Sequence, residues 1–328
     1  RKKVAFGDFL VISLILFLLL TFMPVRFWVV ETVNNFIHWM LLPSLFIVPY
    51  MLVKRNWIRG ILWGIPAVAF FLLFGELFLP AIGQRYDSGP DSESTRLHLE
   101  VMTYNMFAGR DTDRQSQIDM IRAEGADIVA LQELRREAAS VIEAELGNVY
   151  PYMILSPTGL SGSGILSKYP IVDSEVIEMS GLGNIRASID IGIDQITVVS
   201  AHPPPAVFCK RLYYYPIALD VINTLACIAT EGEPTILLGD FNITDQSTGY
   251  RILKNAGLRD VHREVGWGFG FTWPEWIPLL GWRFIPIVRI DYVCHTEEFI
   301  AERIHTGPAT ASDHRPVIAD ILYRKFPN

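Results

Sequence analysis

Residues 234–242 read PTILLGDFN, an apolar run that ends on Asp240, Phe241 and Asn242. A short apolar run with β-forming residues reads as a buried strand. This one delivers two polar side chains directly off its end. The pattern recurs along the chain. Leu97 to Asn105 (LHLEVMTYN) alternates in part and closes on Asn105; Asp127 to Gln132 (DIVALQ) is followed by Glu133. Ile196 to Ala201 precedes His202 in SAHPPP. Asp291 lies in RIDYV, and Asp313 and His314 in SDHRP precede the run Pro316 to Tyr323. Polar residues collected at strand ends, on one rim, are where a sheet scaffold places an active site.

Helix candidates at Ile118–Gly125 and Tyr213–Thr230 separate these runs. Other strands sit side by side, as Ile185–Ile191 does with Ile196–Ala201. Alternation interrupted by adjacent strand pairs predicts an α/β sandwich with mixed sheets rather than a purely parallel doubly wound sheet. Taken singly, each polar residue has a plainer reading. Asn105 and Asp240–Asn242 suit turns, Glu133 could be the first solvated residue after its strand, and either histidine could sit at the surface. The set carries the weight.

The whole set, in its order, resembles the endonuclease/exonuclease/phosphatase superfamily. The resemblance spans residues 98–323 and rests on TYN (103–105), LQE (131–133), GILSKYPI (164–171), AHP (201–203), GDFN (239–242), RIDYV (289–293) and SDHRP (312–316). It implies a two-sheet α/β sandwich and hydrolysis of phosphoesters with Mg²⁺ or Mn²⁺, hard cations that prefer oxygen ligands. It assigns Glu133 as the main metal carboxylate, with Asn105 as an oxygen-donating neighbour and Asp313 completing the site. Asp240 becomes the water-orienting base, fixed by Asn242. His314 touches phosphoryl oxygens or helps activate water, with Asp291 holding its tautomer. His202 protonates or steadies the leaving oxygen, and Arg186 contacts substrate phosphate, with a plain surface arginine as the nearly equal alternative. Two places depart from the nuclease branch. Phe107 stands where some nucleases carry an acidic residue, and no carboxylate partner for His202 is visible.

The chain's 328 residues divide unevenly in charge. The first eighty carry seven basic and three acidic groups, which leaves 21 basic and 32 acidic for the rest. An acidic body lacks the basic surplus by which proteins neutralise nucleic-acid phosphates, so nucleic acid is the less favoured partner. Cys209, Cys227 and Cys294 show no CxxC spacing, hence no zinc signature and no disulfide framework, although one bridge stays open.

Phe9–Val25, Thr32–Val53 and Gly60–Gly75 contain no charged residue. A bilayer core of about 30 Å takes about 20 helical residues. Residues 1–80 therefore read as a membrane domain of three transmembrane helices. Arg1, Lys2 and Lys3, together with Lys54, Arg55 and Arg59, place the N-terminus in the cytoplasm and the body outside it. Residues 81–96, rich in Ser, Gly, Pro and charge, read as a linker, and 97–328 as the catalytic domain. Trp267–Pro286 (WGFGFTWPEWIPLLGWRFIP) holds four Trp and three Phe. It is either a core-packing segment or an interfacial loop that meets headgroups or holds an acyl or prenyl chain.

These features favour hydrolysis of a phosphate, pyrophosphate or phosphodiester on a lipid at the outer leaflet, in contact with the bilayer. The chain is similar to membrane-anchored bacterial members of the superfamily linked to glycopeptide resistance, which points to polyprenyl pyrophosphate. A sphingomyelinase-like phosphodiesterase is the other lipid candidate. An extracytoplasmic nuclease and a catalytically idle subunit of a membrane complex are the alternatives.

Overall fold

The structure is a computed structural model that describes residues 6–21, 28–79, 96–109, 113–179, 182–205, 211–277 and 282–325. The expected linker, apart from Arg96, and Cys209 lie outside these residues.

Apolar helices come first: α1 (Phe6–Thr21), α2 (Trp28–Asn34), α3 (Ile37–Leu41), α4 (Ser44–Val53) and α5 (Trp57–Phe74). The body follows as β1 (Arg96–Asn105), α6 (Arg114–Glu124), β2 (Ile128–Gln132), α7 (Arg136–Leu146), β3 (Tyr152–Ser156), β4 (Ser163–Ser167), β5 (Ile171–Met179), β6 (Leu182–Asp190) and β7 (Gln195–Ala201). It continues with α8 (Arg211–Ala229), β8 (Thr235–Asp240), α9 (Thr248–Asn255), β9 (Arg259–Asp260), α10 (Val261–Val265), β10 (Trp276–Ile277), β11 (Trp282–Arg283), β12 (Asp291–His295), β13 (Phe299–Thr306) and β14 (Val317–Arg324).

Two six-stranded sheets form, in the orders β13-β14-β1-β2-β4-β3 and β5-β6-β7-β8-β12-β9. Each is antiparallel except for one inner parallel pair, β1 with β2 and β7 with β8. These pairs are joined by the crossovers that contain α6 and α8, as parallel neighbours require. Inward side chains of both sheets, among them Val101, Ile128, Ile165, Ile185, Val198, Ile236 and Val293, make one buried layer. On the outer face of the first sheet α6 and α7 pack through Ile118, Ile121, Ile142 and Leu146. On the outer face of the second, α8 and α9 pack through Ile222, Leu225 and Leu253. The body is thus a helix–sheet–sheet–helix sandwich, with mixed sheets as the sequence predicts. Parallel pairs with both faces covered also explain why their sequences are nearly continuous apolar runs.

The second charge-free run is not one helix. Asn35 and Phe36 form a turn between α2 and α3, and Leu42 and Pro43 interrupt α3 and α4. Pro43 has no N–H to extend a helix. Asn35 is held from the body instead, its Oδ1 accepting from Thr244 Oγ1 at 3.0 Å. Among the described residues one helix, Trp57–Phe78, is long and apolar enough to cross a membrane; Phe6–Thr21 and Ile37–Val53 are shorter apolar helices. Their outward side chains, including Phe9, Leu16, Phe46, Val53, Ile61 and Leu72, are exposed and apolar.

These helices are fastened to the body at several points. Glu31 is buried and accepts from Thr248 N at 2.9 Å and from Thr248 Oγ1, at the start of α9. A carboxylate there satisfies an otherwise orphaned helix N–H and meets the positive end of the helix dipole. His38 Nε2 and Trp39 Nε1 each lie 2.9 Å from Ile287 O. Gly268 N donates to Leu77 O at 2.6 Å. Phe269 packs edge-on against Phe74 and Phe78, with centroids 5.6 and 5.2 Å away. The aromatic loop therefore divides. Phe269 and Phe271 pack inward, whereas Trp267 and Ile285 remain 73% and 83% exposed.

Candidate active site

The carboxyl ends of the two parallel pairs meet on one rim. Asn105 ends β1, Glu133 follows β2, His202 follows β7 and Asp240 ends β8. Antiparallel partners bring the rest: Asp291 opens β12 as the register partner of Asp240, and Asp313 and His314 immediately precede β14. Crevices beyond strand carboxyl ends are the usual ligand sites of α/β sheets. Gly239 permits this crowding, because a Cβ there would fall 1.9 Å from Ala201 O on the neighbouring strand.

Both inner strands leave the rim in the same way. Asn105 Oδ1 accepts from Phe107 N and Asp240 Oδ1 from Asn242 N, each at 2.9 Å. Phe107, Asn242 and Glu133 all adopt left-handed backbone, with φ of 54°, 54° and 55°. Such conformations cost about 1–3 kcal/mol each and cluster where function demands them. The turn reading of these polar residues is compatible with a site role, because the Asx turns aim the side chains at the rim.

Asp240 Oδ2 is the centre of the cluster. Asn105 Nδ2 donates to it at 2.9 Å, and the Nε2 atoms of His314 and His202 stand 3.6 and 3.7 Å away. These last distances are too long for direct hydrogen bonds and leave room for an atom shared between the imidazoles. His314 Nδ1 is fixed by Asp291 Oδ2 at 2.9 Å. Its ring is also placed by Ser312, whose Oγ donates to Asn105 O at 2.6 Å and accepts from His314 N at 3.0 Å. Glu133 accepts from Ala108 N at 2.8 Å and from Asn105 Nδ2 at 3.3 Å. Asn242 Nδ2 donates to Pro203 O at 3.1 Å, tying the β8 loop to the His202 segment. Asp313 Oδ2 accepts from Trp273 Nε1 at 3.2 Å.

Electrostatics divides the two histidines. Burial works against a charge on His314, but Asp291 and Asp240 outweigh it and raise its pKa to about 10. Burial lowers His202, with Asp240 only partly opposing, so it is neutral at neutral pH. Its Nδ1 is buried with no hydrogen-bond partner among the described residues. Burial, aided by Asp291, pushes Asp240 up to about 6. Burial also raises Glu133.

Glu133, Asp240, Asp313 and His314 line one cavity of about 250 Å³, together with Asn242, Pro205, Thr244, Trp273, Val288, Ile290 and, from the N-terminal helices, Asn35 and Phe36. The donors are oxygen and imidazole, with no thiolate, which suits a hard divalent cation. Asp240, Asp291 and His314 also place ligand atoms within 4.8 Å of one another.

Asn105 and Arg186 have partners that the sequence does not show. The Asn105 oxygen is committed to Phe107 N–H, so the amide presents NH₂ to Glu133 and Asp240. The amide therefore bridges the carboxylates, and its oxygen keeps a second lone pair. Arg186 faces Glu233, with Nη2 and Oε2 3.7 Å apart. Its neighbour Ile185 points into the intersheet layer, and alternation sends Arg186 to the opposite face of the sheet.

Several residues have no signature in the sequence. Asn184 Oδ1 accepts from His202 N at 2.8 Å and anchors that histidine. Thr272 Oγ1 accepts from Ile290 N at 3.2 Å beside Asp291. Thr103, Gln132, Ser200 and Ser163 form a buried chain of side-chain hydrogen bonds beneath the rim. An unusual run of polar residues inside apolar strands was the available cue for that last group.

Comparison with known proteins agrees with this geometry. The family described as Endonuclease/Exonuclease/phosphatase matches residues 102–314. The Escherichia coli (strain K12) protein YbhP, described as uncharacterized, is 24% identical over 274 residues, covering 71% of this chain and 99% of its own. Sphingomyelinase C from Streptomyces griseocarneus superposes with a TM-score of 0.53 at 20% identity, over 68% of this chain and 99% of that one. A Bacteroides thetaiotaomicron endonuclease/exonuclease/phosphatase family protein gives 0.56 at 16%, over 71% and 99%. Humanized D. rerio TDP2 gives 0.55 at 14%, over 68% and 98%. At these identities the solved structures show a shared fold.

Proposed function

Because the chain belongs to the endonuclease/exonuclease/phosphatase family and is therefore a metal-dependent hydrolase of phosphoester bonds, we propose that it cleaves a phosphate, pyrophosphate or phosphodiester on a lipid, at the extracytoplasmic surface of a membrane that its N-terminal helices span. One observation carries this reading. Exposed Trp267 meets exposed Phe78 of those helices edge-on, with centroids 6.1 Å apart, and with exposed Ile285 it flanks the loop bearing Trp273 at the cavity. Exposed apolar surface of that extent marks a membrane or partner contact, and Trp favours the interface depth.

In this proposal Glu133 and Asp313 hold Mg²⁺ or Mn²⁺, since His314 already balances the charge between Asp240 and Asp291. When bound, the ion neutralises phosphoryl charge and polarises the phosphorus centre. Asp240, its Oδ1 fixed by Asn242 N–H, takes the proton of the attacking water on Oδ2. Charged His314, oriented by Asp291, stabilises the phosphoryl oxygens. His202, kept neutral by burial, donates a hydrogen bond from Nε2–H to the leaving oxygen.

The test uses the full chain in detergent with Mg²⁺. It measures phosphate release from polyprenyl pyrophosphate, headgroup release from phospholipid and sphingomyelin vesicles, and plasmid nicking. Turnover of a lipid that exceeds nicking supports the proposal; efficient nicking without lipid turnover overturns it. The acidic body favours the lipid arm.

A further inference from the structure

We propose that the turn Asn35–Phe36 of the N-terminal helices is a wall of the catalytic cavity, with Phe36 setting substrate choice by receiving the apolar chain next to the scissile phosphate. This rests on the lipid-phosphate reading above and adds that the helices form part of the active site as well as an anchor.

The cavity has two unlike halves. Glu133, Asp240, Asp313 and His314 make the polar half, and Phe36, Pro205, Trp273, Val288 and Ile290 the apolar one. The catalytic groups all come from the sandwich, while the apolar half is closed by a residue sixty positions before β1 begins. A substrate of phosphate alone leaves that half empty. A phosphate joined to a hydrocarbon fills both.

The turn is held rigidly enough to discriminate. Glu31 caps α9, Asn35 accepts from Thr244, and His38 and Trp39 reach Ile287 O. Thr244 follows Asp240 by four residues, and Ile287 precedes Asp291 by four. The same two loops that carry the catalytic carboxylates therefore grip the turn. A cavity of about 250 Å³ is at the small end for organic ligands. It admits the phosphate and the first carbons, and the remainder of a long chain leaves along the apolar helices.

The experiment measures kcat/KM of the full chain in detergent on alkyl phosphates of increasing chain length, with p-nitrophenyl phosphate and plasmid DNA alongside. The wild type gains with each added carbon pair until the apolar half is filled. Phe36→Ala loses about tenfold or more on the longer chains, the usual worth of an apolar contact in discrimination, and the loss grows with chain length. Phe36→Leu restores most of it, which separates a binding role from misfolding. Equal chain-length dependence in wild type and Phe36→Ala overturns the inference while the lipid-phosphate reading stands. Turnover confined to p-nitrophenyl phosphate or DNA overturns both.

Discussion

Asp240 and Asp291 stand opposite each other as register partners on adjacent antiparallel strands, β8 and β12. Two carboxylates on one rung repel. The arrangement persists because His314 places its Nδ1 on Asp291 and its Nε2 3.6 Å from Asp240. The imidazole is the counter-charge that makes the pair tenable.

Asp291→Asn keeps the shape of this rung but removes the charge that holds His314 protonated. Turnover is expected to fall by about 10² or more. His314→Ala falls at least as far. The double variant should be little worse than the poorer single one, because the residues act as a unit. Steady-state kinetics on all three proteins checks this.

Asn105 donates to both Glu133 and Asp240, and a donor of that kind favours the charged carboxylate. Asn105→Ala raises both acids further, so the acid limb of the pH–rate profile moves to higher pH and turnover drops. Chelation abolishes turnover and added Mg²⁺ or Mn²⁺ restores it. Glu133→Gln needs at least about tenfold more metal for half-maximal rate. Metal titrations at fixed pH read out both effects.

Arg263 joins the body to the N-terminal helices. It pairs with Glu76 at 2.5 Å and with Asp245, which Arg289 also reaches at 3.3 Å. The Arg263 and Asp245 side chains are largely buried. Arg263→Met leaves Asp245 to Arg289 alone and costs about 1–3 kcal/mol, the loss of a hydrogen bond to a charged group. Thermal unfolding in detergent measures the loss, and hydrogen exchange at residues 75–78 should rise before exchange in β12.

His262 is a pH-dependent weak point. Burial, with Arg289, pushes its pKa down to about 4. The unfolded imidazole titrates near 6.5, so the unfolded state binds more protons between these values. Stability supplied by the neutral ring is complete above about 6.5 and is lost as pH falls towards 4. The full effect is on the order of 3 kcal/mol. His262→Gln flattens the fall in melting temperature across that window.

Much of the placement of the rim residues is legible in the sequence. The runs ending on Asn105, Glu133, His202 and Asp240 are short and apolar because their strands are covered on both faces, and a buried strand announces its end with the first polar residue. Asp291, Asp313 and His314 were marked by the order of their motifs. The orientation of Asn105 and the outward turn of Arg186 were hidden, since a hydrogen bond from Phe107 N–H and the alternation of β6 decide them.

The amino-acid order alone determined the sandwich, the apolar N-terminal helices and the polar residues delivered to the rim. These follow from local runs of hydrophobicity and from which side chain stands at each strand end. Tertiary structure alone decided that Asp240 faces Asp291, that Asn184 anchors His202, and that Phe36 lines the cavity. Each of these is a contact between segments far apart in the chain, fixed by sheet register and helix docking, which no single stretch of sequence encodes.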